Sequence, residues 1–161
     1  MFGSAIAINE FLIVNFQKIV QDLSEEALFQ PGAGHGHPPV WIMGHLAVTG
    51  ESGQRLLGGS VSHPDWMPLF GPGSTDQIAK TDAMTIPQLA TAVTTAYETL
   101  RTMAAAADPE AMADNHRIPL FRGTSIKTVG DCVTLLLTNH FGFHLAQLSS
   151  CRRTEGHAPL F

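Results

Sequence analysis

Apolar residues recur along this chain at steps of three and four, the spacing that gathers side chains onto one face of an α-helix. Ala5, Ile8, Leu12, Phe16, Ile19 and Leu23 form the first such stripe and predict a helix over about residues 3–22. A second helix is expected over 39–57, with Trp41, His45, Val48, Ser52 and Leu56 facing inward. Pro39 suits its first turn and Gly58-Gly59 its end. The third, over 86–107, keeps its register through Ile86, Leu89, Val93, Ala96, Leu100, Met103 and Ala107, between Thr85-Ile86-Pro87 and Asp108-Pro109. The fourth covers about 125–152, with Val129, Cys132/Val133, Leu136, His140, His144 and Gln147 on one stripe.

Two long connections separate these segments. Residues 58–85 contain SHPDWMPLFGPGST, rich in proline and glycine yet carrying Trp66, Leu69 and Phe70, so this loop is expected to pack on the body. Residues 108–124 hold HRIPLFRG, read as a short strand-like turn. With no repeat and no domain linker, the expected fold is all-α. It is a single domain over 1–161, a four-helix bundle with a long loop between helices 2 and 3.

Composition narrows the function classes. Hydrophobic residues make up 44% of the 161, enough for a real core, and charged residues only 14%. Such a sparse surface leaves room for a helix-face homodimer. The net charge of −5, with no Lys/Arg cluster, argues against nucleic acid, which is bound through phosphate neutralisation. No apolar run reaches the roughly 18 residues of a membrane span, and the first twenty residues lack a basic leader. The chain is therefore expected to be soluble and cytoplasmic. Cys132 and Cys151 on one helix stand too far apart to bridge.

The chemistry that stands out is histidine in apolar helices. His140 and His144, in NHFGFHLAQL, are four apart and share a helix face. Such a pair either clips a metal ion or hydrogen-bonds within the core. His45, in VWIMGHLAVTG, lies on the inward stripe of the second helix. Three imidazoles from two facing helices would make a three-nitrogen face that leaves positions open for water or substrate. Buried without a metal, each ring would need its own hydrogen-bond partner.

WIMGHLA, followed some ninety residues later by NHFGFHLAQL, resembles the DinB-like superfamily of four-helix bundles with a three-histidine divalent-metal site. The resemblance spans nearly the whole chain, including the long second connection. It implies that His45, His140 and His144 are metal ligands and that dimers are common. It further implies a metal-dependent transferase or isomerase using a low-molecular-weight thiol on a small-molecule electrophile. Metal-dependent hydrolysis and non-catalytic metal or ligand binding are the alternatives. Three imidazoles suit zinc, nickel, copper or iron alike.

Around the triad, Trp41 lies one turn before His45 and is a candidate pocket wall. Gln147 shares the face of His140 and His144 and could orient a ligand or meet substrate. The inward stripes offer no evident general base. His35 and His37, in GAGHGHPP, could catch metal, but their glycine neighbours suggest a flexible turn. His63 is read as a loop histidine near the mouth, and Tyr97 lies at the edge of the third stripe; His116 and His157 carry no pattern.

Overall fold

The computed structural model describes residues 1–34, 36–80 and 84–160. The expectation of an all-α protein holds: among these residues there are helices and one isolated bridge, Asn115 with Thr128, but no strand. The order is α1 (Gly3–Gln21), α2 (Pro39–Leu56), the short α3 (Met67–Phe70), α4 (Ile86–Ala105), the short α5 (Pro109–Ala113), α6 (Val129–Leu135) and α7 (Phe141–Thr154). Between α6 and α7, Leu136–His140 form a π-helical segment, so residues 129–154 make one continuous rod. α2 packs mainly on α4, and α1 packs on α4, the π segment and α7. One contiguous apolar core results.

Local chemistry sets the helix starts. Thr85 accepts from the backbone N–H of Gln88 while the Gln88 side chain returns to the N–H of Thr85, a reciprocal cap that opens α4. Thr128 and Asp131 do the same for α6. The last rod therefore begins at 129 rather than 125, because the cap holds Thr128 extended. The expected strand-like turn is corrected as well: residues 108–124 carry α5 and a 3-10 turn at Pro119–Phe121.

Two faces differ from the simple stripes. In α1 the buried set is Ala5, Asn9, Ile13, Asn15, Phe16, Ile19 and Val20, whereas Ile8 is 48% exposed. The helix carries apolar residues on both sides, with Phe11 and Val14 also outward, so periodicity alone leaves its rotation open. α2 has no outer face over Pro39–Glu51, where every residue is buried. A helix apolar on all sides belongs inside the protein. Gly50 allows this: a Cβ there would stand 3.0 Å from Ala96 Cβ and from the Tyr97 ring of α4.

The connection between α2 and α4 is tied down rather than loose. Glu51, buried on α2, accepts the backbone N–H groups of Ser62 and His63 at 3.2 and 3.0 Å, and its other oxygen meets His63 Nδ1 at 2.6 Å. Trp41 Nε1 donates to Ser74 Oγ at 3.0 Å. These bonds hold α3 against α2, which brings backbone oxygens to the neighbourhood of His45. Among the described residues no helix is long and apolar enough to cross a membrane.

Candidate metal centre

α2 and the last rod bring His45, His140 and His144 together. One ring nitrogen from each lies within 4.8 Å of the others, and His45 Nε2 stands 3.2 Å from His140 Nε2. His45 and His144 are buried and His140 is half-buried. His45 and His140, which periodicity placed on two inward stripes, thus come from different helices to a single point.

The partner of each outer nitrogen sets the tautomer of its ring. His45 Nδ1 lies 2.6 Å from the carbonyl oxygen of Phe70, so it carries the proton and leaves Nε2 as a lone pair. His144 Nδ1 lies 2.7 Å from Gln147 Oε1, where an amide oxygen can only accept. Its Nε2 is then a lone pair too. Gln147 thus meets His144 directly through its side-chain amide. The carbonyl of Phe70 had no signal in the sequence, because any residue supplies a backbone oxygen.

Gly44 explains how that oxygen arrives. A Cβ at this position would meet the Phe70 ring at 2.5 Å, so only glycine lets α3 lie this close to α2. Gly44→Ala should cost about 1–3 kcal/mol by overpacking and move Phe70 off His45. Thermal unfolding together with metal competition checks it; unchanged stability and affinity would show that α3 yields without consequence.

Burial depresses imidazole basicity here. Desolvation lowers the pKa of His45 from 6.5, partly opposed by its bond to Phe70. Desolvation, then the neighbouring rings of His144 and His45, lower that of His140 to about 3. The His45 Nε2 lone pair faces His140 Nε2 at 3.2 Å, and with the His140 proton on Nδ1 both atoms could be presented to one cation. Two imidazole nitrogens on one tetrahedral ion stand roughly 3.3 Å apart at the usual bond lengths. His140 Nδ1 is buried with no protein hydrogen-bond partner. The donor set therefore fits a divalent transition ion.

A pH consequence follows for the metal-free protein. Folded-state His45 and His140 titrate below the unfolded value of about 6.5. As pH falls below 6.5 the unfolded chain takes up protons that folded His45 and His140 refuse, so stability present at neutral pH is lost between about 6.5 and 3. Urea midpoints at pH 7 and pH 5 should show this loss, and His140→Ala should reduce the slope. Equal slopes in the two proteins would contradict it.

The other histidines and pocket candidates are placed as follows. The Trp41 indole is buried and stacked between His45 (centroids 4.6 Å, 9°) and His37 (4.4 Å, 16°). It walls the triad on the α2 side. His37 Nδ1 also pairs with Asp76 at 3.2 Å; His35 lies outside the described residues. His63 belongs to the Glu51 anchor. His116 ties its loop to Ile126 and Ile118. Tyr97 does not reach the triad: it is buried against Phe141, and desolvation pushes its phenol well above the usual range. Neither cysteine forms a disulfide and both are buried, with burial raising each thiol to about 11.

The sequence profile of the DinB superfamily matches residues 10–148. No curated protein matches the chain.

Proposed function

The chain belongs to the DinB superfamily, and on that basis we propose that it is a metal-dependent transferase joining a low-molecular-weight thiol to a small electrophile. His45, His140 and His144 hold the ion through their Nε2 atoms. One observation carries the reading: three imidazoles, two of them buried and one half-buried, converge with no carboxylate among them. An ion bound there keeps its full charge and supplies the Lewis acidity that favours a thiol's deprotonated form at neutral pH.

The residues of the chain then do three things. Phe70 O and Gln147 Oε1 fix the His45 and His144 tautomers, so the ligand lone pairs need no rearrangement. Trp41, flat on His45, restrains that ring and excludes water from its side. Cys132 and Cys151 stay protonated, with thiols near 11, so the reacting sulfur comes from outside. The exposed Phe143 ring, 5.2 Å from His144, offers an apolar contact for substrate.

Hydrolysis by water would call for a carboxylate base beside the triad, as in helices that pair two histidines with a glutamate. Glu51, the buried carboxylate of α2, is engaged by the loop instead. The test is a panel of small thiols with alkylating and epoxide electrophiles, using metal-loaded and metal-stripped protein. Thioether formation only in the loaded protein supports the reading. Ester or amide cleavage without thiol would replace it with hydrolysis, and inactivity on both panels with tight metal binding would leave a binding protein.

A further inference from the structure

The π-helical segment Leu136–His140 ends on a triad histidine. Such segments are rare and local, and they are frequent at functional sites. Here one side chain bonds directly to the segment's backbone. Asn9 of α1 is fully buried, and its Nδ2 donates to the carbonyl oxygen of Leu137, inside the π segment, at 2.8 Å. Its Oδ1 accepts from Arg101 Nη1 of α4, also at 2.8 Å. The charged guanidinium fixes which way the amide faces, since only the oxygen can accept from it.

Asn9 is otherwise hard to explain. It stands in the buried face of α1 among Ala5, Ile13 and Phe16, where a leucine would pack without any polar cost. The bond it makes reaches across the sequence to the turn that precedes His140. A π turn adds one residue to a helical turn, so the side chains beyond it are rotated by about 100° from the course of a regular helix. The direction of His140 and His144 relative to α6 depends on that added residue.

We propose that Asn9, held by Arg101, is a positioning residue for the metal centre: its amide maintains the π turn that directs His140 Nε2 towards His45 Nε2. This rests on the three-histidine metal reading above. It concerns neither ligand chemistry nor substrate contact; Asn9 acts on the ion only through the backbone of Leu137.

Cobalt(II) absorption and zinc competition against a chelator test it. Asn9→Asp keeps the partner for Arg101 but loses the N–H that serves Leu137; Asn9→Leu loses both bonds; Arg101→Met frees the amide. Each is compared with the wild type and with His140→Ala. The expected result is a wild-type cobalt spectrum that His140→Ala abolishes, with changed band positions and about 10–100-fold weaker zinc binding in both Asn9 variants. Arg101→Met should show a smaller change in the same direction. Folded Asn9 variants with wild-type spectrum and affinity overturn the proposal while leaving the metal reading intact. Should neither Asn9 variant fold, Arg101→Met decides: a shifted spectrum supports the role and an unchanged one ends it. A wild type that binds no cobalt or zinc removes the metal reading itself, and the positioning role with it.

Discussion

Replacing His140 by alanine should abolish stoichiometric metal binding while leaving the helices in place. His140 supplies one of three nitrogens, and its Nε2 is the one that faces His45 at 3.2 Å. Losing an orienting partner costs a metal site about 10–100-fold in affinity, and losing a ligand itself costs more than that. The fold should survive, because His140 is only partly buried whereas the core around it rests on fully buried neighbours such as Leu137 and Phe141. Removing the ring also removes a buried nitrogen, Nδ1, that has no protein hydrogen-bond partner. Metal content by elemental analysis, with far-ultraviolet circular dichroism on the same sample, measures both parts. A folded His140→Ala protein that retains one equivalent of ion at wild-type affinity would return these histidines to the core. His63→Ala should leave the metal content unchanged, since His63 is paired with Glu51.

Phe141→Ala should produce the largest loss of stability among single substitutions near the site, about 3–5 kcal/mol. Phe141 is fully buried at the start of α7. Its ring meets Phe16 of α1 edge-on at 6.0 Å and Tyr97 of α4 at 4.7 Å, nearly perpendicular at 87°. One side chain thus joins three long helices, and each aromatic pair adds about 0.5–1.5 kcal/mol beyond buried area. Truncation leaves a cavity at that junction which rigid helices close only in part. Chemical denaturation measures the cost. A loss below about 1 kcal/mol would mean that α1 and α4 collapse into the space, against the expectation for a close-packed interior. Because Phe141 directly follows His140, weaker metal binding is expected in the same variant.

The candidate site was largely legible in the sequence. His140 and His144 are four apart, a spacing that places side chains together on a helix whatever surrounds it. His45 was legible because it interrupts an apolar helix that has few other polar residues. Gln147 followed from the same periodicity. The carbonyl of Phe70 was not legible, because a backbone acceptor leaves no mark in residue type; Gly44, which admits it, was the only trace. Asn9 was passed over for a related reason. One asparagine in an apolar helix has no partner in its own segment, and its two bonds reach Leu137 and Arg101, 128 and 92 positions away.

By itself the sequence determined what depends on neighbours along the chain. These are the helical class, the places where Pro39, Thr85-Ile86-Pro87 and Gly58-Gly59 start and stop helices, and the shared face of His140 and His144. Those properties rest on backbone dihedrals and on a spacing of 3.6 residues per turn, which local residues fix. Tertiary structure decided what local periodicity leaves degenerate. It turned α1 so that Asn9 faces in and Ile8 out, buried α2 on every side, and wound Leu136–His140 into a π segment. Each of these choices is a competition between nearly equal helix faces or windings. Contacts with other helices settle it, because only they can satisfy a buried amide or fill the space beside a glycine.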